Sequence, residues 1–143
     1  MMAELEPLLD ITDVQRFLEA EFPQVAADYQ ILEIAPKRLK LRLVPSEKHL
    51  RPGGTVSGPT LFSIADCAVY LAIIAHVGEE ALAVTTGASI DFMRKPAADA
   101  DLICDVELLK LGRGLVVGDA AITSAGQPGL VARATLTYSR PRK

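Results

Sequence analysis

The sequence predicts an α+β fold in which one antiparallel sheet wraps around one long central helix. Apolar residues run almost without interruption from Leu61 to Val77, which is the pattern of a buried helix. Two strand-like stretches precede this helix and four follow it, with proline- or glycine-containing breakers between most of them. A helix that is apolar on all sides needs cover on more than one side, so a wrapped sheet is the economical packing.

The chain begins with a predicted amphipathic helix over about residues 11–22. Val14, Phe17 and Leu18 recur at helical spacing after a run of Asp and Thr residues, and Pro23 is expected to end the helix. We expect this helix to lie on the surface of the domain.

A β-hairpin is predicted next, in the segment YQILEIAPKRLKLRLVP. Leu39, Leu41 and Leu43 alternate with basic neighbours, which indicates one buried face and one solvated face. Pro36 and Lys37 form the turn between the two strands.

The segment SEKHLRPGGTVSGP is predicted to be a tightly bent loop that leads into the long helix. Ser57 suits the N-cap, and Pro59 suits the first helical turn, where its missing N–H costs nothing. The helix should run to about His76 and stop at Gly78.

Four strands are predicted after the helix, and the turn-forming segments RKPAADAD, GRG and AGQPG separate them. Their predicted limits are Leu82 to Met93, Leu102 to Leu111, Leu115 to Ser124 and Leu130 to Ser139. The polar tail, about residues 140–143, is expected to be disordered.

Length and composition restrict the possible functions. The 143 residues fit one domain over 1–143, and half of them are hydrophobic, which excludes a disordered chain and favours an oligomer. The net charge of -3, without a basic run, argues against nucleic-acid binding.

The acidic N-terminus does not resemble a signal peptide, so we expect a cytoplasmic protein. Asp66, near the middle of the apolar helix, argues against a membrane span. Cys67 and Cys104 have no metal-ligand spacing, so we expect buried thiols and no metal.

Asp66 is the residue that most needs an explanation. It shares a helix face with Phe62, Ser63, Val69 and Tyr70, so its carboxylate projects from a mostly apolar surface. One interpretation is a buried acid held by a backbone or hydroxyl partner. The other is a carboxylate at the floor of a cleft, where desolvation makes it a better base or nucleophile.

Gly58 at the helix start is the second candidate. Unpaired N–H groups there can polarise a carbonyl and hold the oxyanion that forms when it is attacked. Eight residues separate Gly58 from Asp66, which corresponds to about 12 Å along the axis, too far for both to act on one atom. Gly58 of one subunit could instead face Asp66 of another across a two-fold axis.

The segments GTVSGPTLFSIAD and LAVTTGASIDFMRKP resemble the hotdog-fold acyl-CoA thioesterases, specifically the phenylacetate-pathway (PaaI-like) group. The resemblance covers about Leu50 to Tyr138. It implies a helix enclosed by a sheet, two subunits that join their sheets, two active sites at the interface, and assembly as a homodimer or a dimer of dimers. No cofactor is implied, since coenzyme A is part of the substrate.

The resemblance also assigns roles to residues. Asp66 matches the catalytic carboxylate, either as general base on water or as nucleophile, and Gly58 matches the glycine whose N–H polarises the thioester carbonyl. Thr85 matches a hydroxyl that orients the water, and Thr86 is a close alternative because the alignment could slip by one residue. Ser57 can cap the helix or donate a hydrogen bond.

Two positions depart from the family pattern. Ser57 stands where the family usually has histidine, and Arg51, which we expect to bind the substrate, stands where asparagine is often found. A non-catalytic acyl-CoA binding or sensing module is therefore an alternative to a thioesterase. A hotdog dehydratase would need a histidine in the cleft, whereas His49 and His76 are predicted to be surface groups.

The remaining candidates concern substrate binding. Arg94, Lys95 and Arg113 fall at strand ends, which in the family lie near the coenzyme A nucleotide, so they are either phosphate ligands or solvated charges. Leu61, Phe62 and Tyr70 are either acyl-pocket residues or ordinary core.

Overall fold

The structure is a computed structural model that describes residues 6–79, 82–97 and 99–141. Its helices are α1 (Ile11–Glu21), α2 (Pro23–Ala26) and α3 (Gly58–Val77), with a short 3-10 turn at Glu47–His49. Its strands are β1 (Tyr29–Ala35), β2 (Arg38–Leu43), β3 (Val84–Phe92), β4 (Leu102–Leu111), β5 (Leu115–Ser124) and β6 (Ala132–Ser139).

The strands form one antiparallel sheet in the order β1-β2-β4-β5-β6-β3, wrapped around α3. The hotdog architecture predicted from the sequence is therefore confirmed. The limits of β4 and β5 agree with the prediction, whereas β3 and β6 each begin two residues later than expected. In this order β3 occupies one edge of the sheet, and most of its residues are exposed.

The N-terminal helix has the predicted apolar face, because Val14, Phe17 and Leu18 are all buried. Asp10 and Asp13 form a reciprocal capping box at its start. Pro23 does not simply end the helical region, as we expected. Instead it starts α2, where a residue without an N–H is tolerated in the first turn.

The central helix α3 begins at Gly58, with the Ser57 side chain accepting from the Thr60 N–H, and its C-cap is Gly78. It lies so close to the sheet that a Cβ atom added to Gly118 of β5 would meet Val69 Cγ1 at 2.7 Å. By length and composition α3 could cross a membrane, but 67% of its apolar window is buried within this chain. The burial favours a core helix.

The hairpin has the predicted solvated face. Leu39, Leu41 and Leu43 are buried, while the intervening basic residues lie near acids of β4 and of the segment before it. His76 was predicted to be a surface group, and this is wrong. Its Nε2 accepts from the Lys37 N–H at 2.7 Å and its Nδ1 lies 2.7 Å from the Ala72 carbonyl oxygen, so the buried ring links α3 to the hairpin turn.

Arg140, which follows β6, is held by the turn between β4 and β5. The Arg140 N–H donates to the Gly114 carbonyl at 2.8 Å, and its guanidinium donates to the Gly112 carbonyl at 3.0 Å. Arg140 therefore differs from the disordered tail predicted from about residue 140. Residues 142–143 of that tail lie outside the described residues.

Candidate active site

Two hydroxyl groups hold the carboxylate of Asp66. The Thr85 hydroxyl donates to Asp66 Oδ1 at 2.6 Å, and the Tyr138 hydroxyl donates to the same oxygen at 2.6 Å. The Tyr138 hydroxyl also lies 2.9 Å from the carbonyl oxygen of Asp66. Among the described residues, none donates to Oδ2, so one carboxylate oxygen is oriented and the other can meet a ligand.

The sheet register explains why these two hydroxyls meet the helix. Thr85 of β3 is paired directly with Tyr138 of β6, and directly paired residues project from the same face of a sheet. The register shifts between Thr85 and Gly87, so Thr86 is the extra residue of a bulge. Its side chain is exposed and lies 3.4 Å from the Thr137 carbonyl. The structure therefore brings Thr85, not Thr86, to Asp66.

A cavity of about 420 Å³ opens beside Asp66. Its lining comes from α3, β3, β6 and the N-terminal segment: Phe22, Val25, Tyr29, Ser63, Asp66, Cys67, Tyr70, Ala83, Val84, Thr85 and Tyr138. All three tyrosines of the chain line it. The predicted pocket residue Tyr70 is among them, and its ring stacks on that of Tyr138 with 5.9 Å between centroids.

Burial shifts the pKa values of two groups that line the cavity. Burial, and then the hydrogen bond to Asp66, raises the pKa of Tyr138 far above its ordinary value, so its hydroxyl stays a donor. Burial and the neighbouring Asp66 raise the pKa of the Cys67 thiol to about 12. At neutral pH Cys67 is therefore a neutral lining group. In the described part of the chain, no group of three or more His, Cys, Asp and Glu side chains could hold a metal ion.

Gly58 belongs to a second cavity, of about 460 Å³, at the start of α3. Three predicted substrate-binding cations, Arg51, Arg94 and Lys95, also line it, and all three are exposed. Across the described residues, no group accepts from the Gly58 N–H. The cavity is therefore an electropositive space with a helix N-terminus at its wall.

Other predicted site residues lie elsewhere. Leu61 lines the Gly58 cavity, not the Asp66 cavity, and Phe62 lines neither of these two. Arg113 is exposed in the turn between β4 and β5 and does not join the three cations. The Ser57 hydroxyl accepts from the Thr60 N–H at 3.3 Å and donates to the Thr60 hydroxyl at 2.9 Å, so it serves as a helix cap.

His49 was predicted to be a surface group, and this is also wrong. The ring is largely buried, Nδ1 accepts from the Ser46 N–H at 2.8 Å, and Nε2 lies 3.5 Å from Asp28. The His49 carbonyl accepts from the Ser57 N–H at 3.0 Å. His49 thus organises the loop that leads to Gly58, and neither histidine lines the Asp66 cavity.

The sequence reasoning missed Tyr138, Phe22 and Tyr29. Tyr138 lies 72 residues from Asp66, and only the strand pairing brings them together. The alternating pattern of β6 indicated that the Tyr138 side chain points toward the core, but no neighbouring residue in the sequence indicated that it would contact Asp66. Phe22 and Tyr29 flank a short helix, α2, that was not predicted.

Comparison with known proteins shows which family the chain belongs to. Residues 53–131 match the thioesterase superfamily model, which is more than half of the chain. The chain belongs to the thioesterase superfamily. The chain is similar to a candidate thioesterase from Silicibacter sp. TM1040. The two are 49% identical and have a TM-score of 0.91, over 97% of this chain and 96% of the other.

Other solved structures support the same grouping. The phenylacetic acid degradation protein PaaI from Thermus thermophilus, in a mutant form, is 27% identical with a TM-score of 0.71, over 83% of this chain and 99% of that one. A Streptococcus mutans protein bound to acetyl-CoA is 23% identical with a TM-score of 0.71, over 80% and 90% of the two chains, and shows the shared fold. A search among curated proteins gave no match. The hotdog fold and the thioesterase-superfamily membership that the motifs predicted are therefore confirmed, and a PaaI protein is among the similar structures.

Proposed function

We propose that this protein hydrolyses the thioester of an acyl- or aryl-coenzyme A, with Asp66 assisting the attack. The observation that carries the proposal is the Asp66 carboxylate, which Thr85 and Tyr138 hold at Oδ1 and which lines a cavity large enough for an acyl group. A carboxylate fixed in this way can accept a proton from water or attack the carbonyl itself. In the first route the water oxygen bonds to the carbonyl carbon, the carbon–sulfur bond breaks, and the products are the carboxylic acid and free coenzyme A. In the second route the carboxylate displaces coenzyme A to form an acyl-Asp66 anhydride, which water then hydrolyses to the carboxylic acid and free Asp66.

The coenzyme A moiety is proposed to lie in the second cavity. Arg51, Arg94 and Lys95 can bind its phosphates through charge-assisted hydrogen bonds. The same cavity presents the Gly58 N–H, which can polarise the thioester carbonyl as negative charge develops on its oxygen. The acetyl-CoA bound to the Streptococcus mutans neighbour is consistent with this ligand class.

The site is proposed to be shared between two subunits. Gly58 and Asp66 line different cavities of one chain and lie about 12 Å apart along α3. A two-fold dimer would place the Gly58 cavity of one subunit against the Asp66 cavity of its partner. The exposed edge strand β3, with Val84 and Phe92 each 56% exposed, is the surface best suited to join two sheets. A cytoplasmic homodimer, or a dimer of dimers, remains our prediction.

One observation favours a second candidate function, a non-catalytic acyl-CoA binding module. The Ser57 hydroxyl is engaged by Thr60 as a helix cap, so it offers less to a substrate than a free side chain at that position would. Such a module would bind acyl-CoA esters and release no thiol.

Thiol release from short, medium, long-chain and aromatic coenzyme A esters tests the proposal. Asp66→Asn preserves the shape of the side chain and an acceptor for Tyr138, but removes the carboxylate. We expect release by the wild type, and a loss of about a hundredfold or more in Asp66→Asn with the fold retained by circular dichroism. Equal turnover by the two proteins would refute the role of Asp66. Saturable ester binding without release by the wild type would favour the binding module.

A further inference from the structure

The Asp66 cavity has two chemically different ends. Asp66, Thr85 and the Tyr138 hydroxyl form a polar end, where the reacting carbonyl would lie. Phe22 and Val25, from the corner between α1 and α2, also line the cavity and present only carbon atoms from their side chains. An apolar acyl group that enters at the carboxylate would therefore extend toward this corner.

A row of aromatic rings connects the two ends. The Tyr138 ring, whose hydroxyl binds Asp66, stacks on Tyr70. The Phe22 ring meets Tyr70 edge-on, with 5.7 Å between the ring centroids and the planes at 90°. The Phe17 ring also contacts Tyr70, at 6.1 Å, but does not line the cavity. Edge-to-face contacts of this kind fix the orientation of a ring as well as its position. Phe22 is thus held as the terminal member of the row.

The backbone of the corner is also fixed. The Phe22 N–H donates to the Leu18 carbonyl at 2.8 Å, and the Phe22 carbonyl accepts from the N–H groups of Val25 at 3.1 Å and Ala26 at 3.0 Å. Pro23 follows and restricts the chain further. These hydrogen bonds and the proline restrict the movement of the backbone that carries Phe22 and Val25.

We infer that Phe22 and Val25 form the end wall of the acyl cavity and set the longest acyl group that the protein accepts. This inference rests on the proposed function and names a specificity determinant for it. Each methylene that enters the apolar cavity should raise kcat/KM by about fourfold, because burial of a CH₂ group is worth about 0.8 kcal/mol. The gain should end, and reverse, at the chain length that reaches the corner.

Two substitutions at the corner test the inference in opposite directions. Phe22→Ala removes most of the wall, and Val25→Phe adds to it. Across straight-chain esters from acetyl- to palmitoyl-coenzyme A, the maximum of kcat/KM should move to longer chains by about two carbons or more in Phe22→Ala, and to shorter chains in Val25→Phe. Gln24→Ala, on the exposed side of the same corner, should keep the wild-type maximum.

The measurement separates a failed wall from a failed function. If the wild type releases thiol but both variants keep its preferred chain length, with all rates scaled alike, the inference is wrong and the proposed function stands. If no ester is hydrolysed, the proposed function fails, and dissociation constants for the same esters test the wall: an unchanged length preference in both variants would overturn it. If Phe22→Ala does not fold, Phe22→Leu provides a milder opening with the same expected direction.

Discussion

Removal of the Tyr138 hydroxyl is the sharpest test of how the carboxylate is held. Tyr138→Phe keeps the ring that stacks on Tyr70 and removes one of the two 2.6 Å hydrogen bonds to Asp66 Oδ1. A hydrogen bond to a charged group is worth about 1.5 to 3 kcal/mol, so kcat should fall by about tenfold to a hundredfold. KM should change much less, because the cavity wall is preserved.

Two comparison variants make this result interpretable. Tyr29→Phe removes a hydroxyl from the same cavity that has no hydrogen bond to Asp66 among the described contacts, so its effect on kcat should be much smaller. Thr85→Val removes the other donor, and its combination with Tyr138→Phe should be non-additive, because both hydroxyls serve one oxygen. Steady-state thiol release gives kcat and KM for the three single variants and the double variant. An unchanged kcat in Tyr138→Phe, or a change in KM alone, would refute the positioning role.

Two further predictions concern packing and the thiol of Cys67, which is half-buried, whereas both cysteines were predicted to be buried and only Cys104 is. Gly118→Ala should lower the free energy of unfolding by about 1 to 3 kcal/mol in denaturant titration, because the added methyl would press on Val69; unchanged stability would contradict this close contact. Cys67 should be alkylated by iodoacetamide at pH 8 about a thousandfold more slowly than an ordinary thiol, because its pKa is raised from 9.0 to about 12 and the thiolate is the reactive form. The alkylation rate of Cys67 should rise about tenfold per pH unit above pH 8, because the thiolate fraction rises by that factor. Rapid labelling of the folded protein, detected by intact-mass spectrometry, would contradict the raised pKa.

The sequence predicted those features of the fold that depend on local patterns. The strands β4 and β5 alternate regularly between breakers, and their limits were predicted to the residue. Asp66 and Gly58 could be identified because one carboxylate in an apolar helix and one glycine at its start are local anomalies. Which of Thr85 and Thr86 contacts Asp66 depends on a bulge in β3, and a bulge leaves no clear local signal.

The features that could not be predicted depend on partners distant in the chain. His76 is buried because a backbone N–H of the hairpin, 39 residues away, supplies its partner. Tyr138 becomes part of the site only because β6 lies beside β3, which is not its neighbour in sequence. From polarity alone, side chains such as that of His76 are predicted to lie on the surface. A polar side chain can be buried when a partner satisfies its hydrogen bonds, and here that partner is distant in sequence.

Mixing two inactive variants can test whether the site is shared between subunits. Gly58→Pro removes the N–H of the first helical residue and adds ring carbons at a position where proline is tolerated. Gly58→Ala is its control, because it keeps the N–H and its Cβ would lie 3.5 Å from the Phe92 ring, an ordinary contact. Gly58→Pro and Asp66→Asn should each be inactive as homodimers. A mixed dimer, however, contains one site in which both groups are intact, and random reassembly makes half of the dimers mixed. Activity after joint refolding should therefore return to about a quarter of the wild-type value. If each site were built within one chain, no pairing could restore it, so persistent inactivity of a mixture shown to contain mixed dimers would exclude the shared site and require Gly58 and Asp66 to act separately.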